Sequence, residues 1–267
     1  MKVGIFSNSG QASTQVSNAL RSKIKAVGLK LDDDRPDIVI TVGGDGTLLS
    51  AFHHYESQLD SVRFVGIHTG HLGFYTDWRD YEVDQLVDSL VHDNGQSVSY
   101  PLLDIQIDYT NGVHEQLLAL NESTIKKVTG TMLANVYIKD QLFELFRGDG
   151  LCVSTPTGST AYNKSTGGAV ISSELDVVQV SEIASINNRV FRTLGSPIII
   201  SPNESVRVEP VHSKENLMTC DQKVIGNRAI RSMSFKIATQ RIAFAQYRHT
   251  QFWKRVSESF IGVKPLD

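Results

Sequence analysis

The sequence predicts two domains of different class: an N-terminal α/β domain on a parallel sheet, then a mostly antiparallel β domain. Three observations point there. Up to Gly95, apolar runs alternate with amphipathic stretches, the pattern of strands joined by crossover helices. The runs in that half are short and nearly all apolar, as strands covered on both faces are. Beyond Gly95 the texture becomes period-2 alternation broken by turn residues.

In chain order, Lys2–Ser7 reads as a strand and Ala12–Val27 as a helix presenting Val16, Ala19, Leu20, Ile24 and Val27 on one face. Asp37–Val42 is a second strand, Thr47–Leu59 a second helix and Arg63–Ile67 a third strand. A helix at Asp80–Val91 carries Val83, Leu86, Val87, Leu90 and Val91. In the second half, Tyr100–Tyr109 alternates, Asn111-Gly112 is a hairpin signal, and Gln116–Ile125 returns as one strand. Val136–Ile138 and Leu142–Phe146 flank Lys139-Asp140-Gln141 as another hairpin. Further strands are expected at Ile198–Ile200, Ser205–Val208, Met233–Ala238 and Ile242–Tyr247. Short helices are expected near Ser159–Lys164 and Val177–Ser185, and Phe252–Phe260 reads as a closing helix. The natural division falls near Ser97–Pro101, with a cleft between domains as the expected active site.

Composition narrows the function classes. The chain has 267 residues, 40% of them hydrophobic and 21% charged, enough for a real core. A formal net charge of −3 gives no electrostatic reason for nucleic acid or an anionic membrane as partner. No apolar run approaches a bilayer span, and the run Val3–Phe6 is too short for a signal peptide. Cys152 and Cys220 offer neither a metal pattern nor a disulfide framework, so both are expected as buried, reduced thiols in a cytoplasmic protein.

The segment Thr41-Val42-Gly43-Gly44-Asp45-Gly46-Thr47 raises the chemical question, because an apolar strand delivers one carboxylate into a turn of glycines. Glycine permits positive φ and removes side chains that would block a ligand. The following helix N-terminus offers free N–H groups to an anion. An aspartate among such donors makes sense if it faces a hydroxyl or a magnesium ion; the bland reading is a helix cap. The spacing is neither a Walker loop nor Gly-x-Gly-x-x-Gly.

Other segments bear on the choice. His68-Thr69-Gly70-His71-Leu72-Gly73-Phe74 follows the third strand, at the carboxyl edge where α/β proteins bind ligands, and reads as a polar loop or a metal pair. Asn121-Glu122 interrupts an apolar run with groups suited to sugar hydroxyls or to a wet strand end. Arg147-Gly148-Asp149-Gly150 is a second glycine turn with a carboxylate, followed by a hydroxyl-rich stretch through Thr160, Ala161 and Tyr162.

Taken together, these segments resemble the NAD kinase family. The resemblance runs in order through Gly43–Thr47, Gly66–Phe74, Asn121-Glu122, Arg147–Gly150, Ser154–Gly168 (STPTGSTAYNKSTGG), Ala184–Asn188 and Asp221-Gln222. Gly-Gly-Asp-Gly alone also occurs in diacylglycerol-type lipid kinases and phosphofructokinases; the later motifs separate them. The resemblance implies an α/β domain (1–97), a β-sandwich-like NAD-binding domain (98–248) and a segment (249–267) returning to the first. It implies transfer of the γ-phosphoryl of ATP, or of polyphosphate, to the adenosine ribose 2′-hydroxyl of NAD, with Mg²⁺ or another divalent cation. By motif, Asp45 is the catalytic residue, and Gly43, Gly44, Gly46 and Thr47 form a phosphate loop. Asn121 and Glu122 hold ribose. Asp149, Thr160, Ala161, Tyr162, Asn163, Lys164, Ser165 and Ala184 line nucleoside pockets, and Phe74, Arg147 and Gln222 are further contacts. No dedicated metal ligands are read. Related enzymes imply a dimer or tetramer. Two departures stand out: Asp221 is followed directly by Gln222 without a glycine, which bears on the Gln222 contact, and the N-terminal domain is short, as in compact bacterial members. The alternatives are a lipid kinase of the same superfamily and a non-catalytic NAD(P) sensor.

Overall fold

The computed structural model describes residues 1–70, 73–226, 228–248 and 251–262. The chain divides into two compact units: Met1–Tyr100 with the chain from Gln240 onward, and Pro101–Thr239.

The first unit is built on parallel strands β1 (Lys2–Ser7), β2 (Lys30–Leu31), β3 (Ile38–Gly43), β4 (Arg63–His68) and β5 (Trp78–Arg79). They run in the order β2-β1-β3-β4, with β5 beside the end of β4. Ala243 and Phe244 add a parallel pairing to Arg63 and Phe64. All six residues of β3 are buried, as expected for a strand covered on both faces. Alternation splits them: Ile38, Ile40 and Val42 share a core with α1 (Gln11–Ala26) and α3 (Val83–Val91), whereas Val39 lies outside that cluster. In α1 the buried face is Ser13, Val16, Ser17, Leu20 and Ile24. Ala19 and Val27, expected on that face, are exposed. α2 (Asp45–His54) starts two residues before the expected Thr47, which makes Asp45 its first residue. It ends early, at a short 3₁₀ turn over Glu56–Gln58.

The tail aromatics pack inside this unit. Phe244 lies against Phe64, Tyr75 and Tyr100; Phe74 lies against Phe252 and Phe260. The Tyr247 hydroxyl donates to Asp93, itself paired with Arg63. Trp253 is exposed. Phe252–Val256 forms a short α-helix, continued by one π turn over Ser257–Ile261.

The second unit is antiparallel β. One sheet contains β6 (Ser97–Tyr109), β7 (His114–Ala119), β9 (Met132–Ile138), β10 (Gln141–Gly148), β14 (Val206–Pro210) and β17 (Ile230–Ala245). The other runs β13-β12-β11-β8-β15-β16: Ile198–Ile200, Val178–Ile183, Gly150–Ser154, Glu122–Lys127, Asn216–Cys220 and Lys223–Ile225. One core joins their inner faces, including Leu103, Ile105, Met132, Val136, Leu151, Val153, Val178, Met218 and Phe235. Two sheets on one core make the sandwich-like architecture.

Three expectations are corrected here. The stretch expected as a helix over Val177–Ser185 is instead strand over Val178–Ile183, because Val178 and Val180 alternate into the core and pair with β11 and β13. The two strands expected at Met233–Ala238 and Ile242–Tyr247 are one continuous strand that ends at Ala245. The single strand expected over Gln116–Ile125 is cut at Leu120-Asn121.

Candidate active site

In the first unit, β3 ends at Gly43, whose φ of +153° lies in the region that favours glycine. A Cβ there would also crowd Asn8 Nδ2 at 2.7 Å. Gly44 is different: it is extended, caps α2, and a Cβ on it would meet nothing. Open space is what a phosphate approaching this turn needs. The Thr47 and Leu48 N–H groups both point at Gly44 O, so the turn is tightly wound. Beside it opens a cavity of about 500 Å³ lined by Phe6, Ser7, Asn8, Gly44, Gly46, Thr47 and Ser50. It sits where β1 and β3 end and α2 begins, the carboxyl edge at which α/β sheets take ligands.

Asp45 does not cap its helix. Its Oδ2 accepts the Phe74 N–H at 2.8 Å and its Oδ1 the Tyr75 N–H at 3.0 Å. The strand–turn–helix unit thus delivers the carboxylate to the loop that follows β4. Gly73 makes room for it: a Cβ at Gly73 would collide with the Asp45 carboxylate. The loop is pinned again by Thr76 Oγ1, which accepts the Gly73 N–H, and by Arg255, which donates to the carbonyls of Gly73 (2.8 Å) and Thr76 (3.2 Å) and pairs with Asp77. His68 Nδ1 meets Gly70 O. His71 and Leu72 lie outside the described residues.

In the second unit, the break at Leu120-Asn121 is made by Asp221. Its φ is +50°, and its carboxylate accepts three successive N–H groups, from Leu120 (3.0 Å), Asn121 (2.7 Å) and Glu122 (3.2 Å). The Asp221 N–H returns a bond to Glu122 O. Without a glycine after it, the aspartate itself takes the left-handed position in the turn between β15 and β16. On the carbonyl side, Thr155 and Thr157 hydroxyls donate to Leu120 O. A Cβ at Gly158 would collide with Asn121 O, so the 157–160 turn lies directly on the Asn121 backbone.

Asn121 and Glu122 are both buried. Glu122 receives the Tyr162 N–H, yet its Oε2 is buried without a partner. Burial, and then the nearby Asp221 charge, pushes its carboxyl up to about 8. Tyr162, partly exposed, takes a hydrogen bond from Lys126 Nζ at 3.0 Å. Thr160 is buried, with its hydroxyl on Thr157 O. Asn163 is fully buried, its Oδ1 accepting the Ser181 hydroxyl. Lys164, Ser165, Asp149, Ala184 and Gln222 are exposed, Ala161 partly so. Ala184 holds a left-handed φ of +46°. The Arg147 guanidinium lies 3.6 Å from the Phe191 ring centroid. The glycines beside Asp149 answer to packing: a Cβ on Gly148 would press the Ala184-Ser185 backbone, and one on Gly150 the Ile125 carbonyl.

So Asp45 and Phe74 meet in the first unit, and Asn121, Glu122, Thr160 and Tyr162 cluster in the second. Reasoning from sequence missed Asp221, Thr155, Gly158 and Arg255 as builders of these loops. The only trace of Arg255 is a charge inside an aromatic stretch.

Residues 2–95 match the ATP-NAD kinase N-terminal domain, and residues 120–230 match the ATP-NAD kinase C-terminal domain. The NAD kinase of Levilactobacillus brevis is 66% identical over 98% of this chain and 98% of its own length. The chain belongs to the NAD kinase family. The NAD kinase of Lacticaseibacillus paracasei is 58% identical over 99% of this chain and 100% of its own. Among solved structures, a yeast NADH kinase complexed with NADH has a TM-score of 0.84 at 15% identity, covering 100% of this chain and 89% of that one. An Archaeoglobus fulgidus NAD kinase in complex with ATP has a TM-score of 0.75 at 18% identity, covering 98% of each. Both share the fold. As an NAD kinase the chain is a phosphotransferase with an alcohol acceptor, and its product is NADP.

Proposed function

We propose that the 2′-hydroxyl of the NAD adenosine ribose is activated at Asp45 while the glycine turn receives the phosphates of ATP. The observation that carries this reading is the acceptor count at Asp45. A carboxylate has about four lone-pair sites. Two are taken by the Phe74 and Tyr75 N–H groups, which orient the group and leave two for a hydroxyl proton. A hydroxyl is a weak nucleophile, and a carboxylate is a weak base. The proton therefore leaves late, in a loose transition state where positioning matters more than basic strength.

The cavity beside the turn offers neutral oxygens from Ser7, Thr47 and Ser50 and the amide of Asn8, with no carboxylate among its lining residues. That donor set fits a divalent ion, Mg²⁺ or another, that enters with ATP as part of the substrate and keeps its waters. When bound, the ion neutralises charge on the phosphoryl oxygens. Polyphosphate would meet the same turn. Asn121 and Glu122 serve as ribose ligands, supported by their burial and the unpartnered Glu122 Oε2. Tyr162, Ala161 and Thr160 serve the nucleoside, with Asp149, Asn163, Lys164, Ser165, Ala184, Arg147, Phe74 and Gln222 as further contacts.

A homo-oligomer, dimer or tetramer, is supported by the exposed Leu142, Phe143 and Leu145 on β10, an edge strand. Cys152 and Cys220, buried thiols outside any disulfide, support a reducing, cytoplasmic setting. Among the described residues no helix is long and apolar enough to cross a membrane.

The test is an assay of ATP, Mg²⁺ and NAD, read as NADP through a coupled dehydrogenase, with Asp45→Asn run in single turnover. Loss of turnover with NAD still bound supports the role given to Asp45. Turnover at the wild-type rate removes it.

A further inference from the structure

Residues 73–77 carry little regular structure, so their backbone groups must find partners elsewhere. The N–H of Phe74 goes to Asp45 Oδ2. The carbonyl of Gly73, at the other end of the same peptide unit, accepts from Arg255 Nη1 at 2.8 Å. A peptide is planar, so fixing its oxygen fixes the direction of its N–H. Donation to the carbonyl also polarises the amide that points at the carboxylate. The relay runs guanidinium, peptide 73–74, carboxylate.

Arg255 is only 3% exposed, an expensive place for a cation unless its donors are matched. Asp77 alone would answer the charge. Its Nη1 donates to Gly73 O and Thr76 O, which bracket the two N–H groups used by Asp45. Lysine has no planar fork and cannot hold this set in fixed directions. The side chains of the same segment, Phe252 and Phe260, lie against Phe74.

We propose that Arg255 is a positioning residue for phosphoryl transfer, setting the aim of the Asp45 carboxylate through the Gly73–Phe74 peptide. This rests on the reading of Asp45 as acceptor of the hydroxyl proton.

The experiment uses the full chain with Arg255→Lys and, as a milder variant, Asp77→Glu, which keeps the ion pair but shifts the guanidinium. Amide exchange is followed by NMR alongside steady-state kinetics, with Asp45→Asn as reference. In Arg255→Lys, the Phe74 and Tyr75 amides exchange roughly two- to tenfold faster, the loss of one ordinary hydrogen bond. Turnover falls about 10–100-fold, as for a small misplacement of a reacting group, with KM for NAD unchanged. Asp77→Glu moves both readouts the same way by less. Protected Phe74 and Tyr75 amides with wild-type kcat in Arg255→Lys overturn the proposal. So does exchange that rises equally across α1 and α3, which marks a merely structural anchor. Wild-type turnover in Asp45→Asn would remove the underlying reading instead, whatever the Phe74 amide does.

Discussion

The turn at Gly43–Asp45 and the turn at Cys220–Gln222 each hand a carboxylate to the backbone of a distant loop, and they leave it in different states. Asp221 is buried and takes three N–H groups in succession. Asp45 is only partly buried and takes two. The same device thus builds in one place and prepares in the other. A carboxylate filled with donors and closed to water is a structural part. One held by half of its acceptor sites, with access, is oriented and still free to receive a proton.

The comparison breaks most sharply at Asp45. Asp45→Asn keeps the shape and one acceptor, and is expected to lower turnover by about 10²–10⁴-fold, the usual worth of general-base help. NAD affinity should stay near the wild-type value, measured by calorimetry. If affinity falls as steeply as turnover, the two aspartates are not different in kind.

Asp221→Ala leaves three buried N–H groups without an acceptor. The expected loss is about 2–5 kcal/mol in urea denaturation, with a raised KM for NAD because Asn121 and Glu122 lose their frame. An unchanged midpoint would show that water can replace the carboxylate. Gly158→Ala is smaller: the new methyl presses on Asn121 O, costing about 1–3 kcal/mol and raising KM more than it lowers kcat.

A further expected effect is on pH. Glu122 titrates at about 8 in the fold against an ordinary 4.5. Between those values the folded chain holds a proton that the unfolded chain has released. Raising pH through that window therefore favours unfolding; the contribution is complete below 4.5 and gone once pH passes 8. Glu122→Gln should flatten the wild-type decline in Tm across this range. A parallel decline in both proteins would mean that Glu122 is solvated as an ordinary acid.

Much of the first unit is legible in the sequence because its signals are local. The apolar runs at Lys2–Ser7 and Arg63–Ile67 become β1 and β4 nearly residue for residue. Asn111-Gly112 and Lys139-Asp140 turn as their chemistry dictates, with left-handed φ at Gly112, Lys139 and Asp140. What escapes is whatever a distant partner decides. Gln116–Ile125 reads as one strand, with Asn121-Glu122 as a polar interruption in it, yet Asp221 cuts it there. Val177–Ser185 reads as a short helix, and pairing with the neighbouring strands makes it strand over Val178–Ile183. Asp45 is conspicuous in its glycine turn, but the direction of its carboxylate depends on a loop some thirty residues on. The individual roles of the nucleoside-pocket residues come from resemblance to a family; no local pattern spells them.

The Asp221 bonds span 99 to 101 positions along the chain. The pairing of β8 with β15 closes the same long loop, joining Ser123 to Cys220 and Thr124 to Thr219. Once that ladder is in register, Asp221 stands beside Leu120–Glu122, so the loop-closure entropy is met once for strand and turn together. The shape of the Asn121-Glu122 turn is therefore inherited from a strand register set about a hundred residues away.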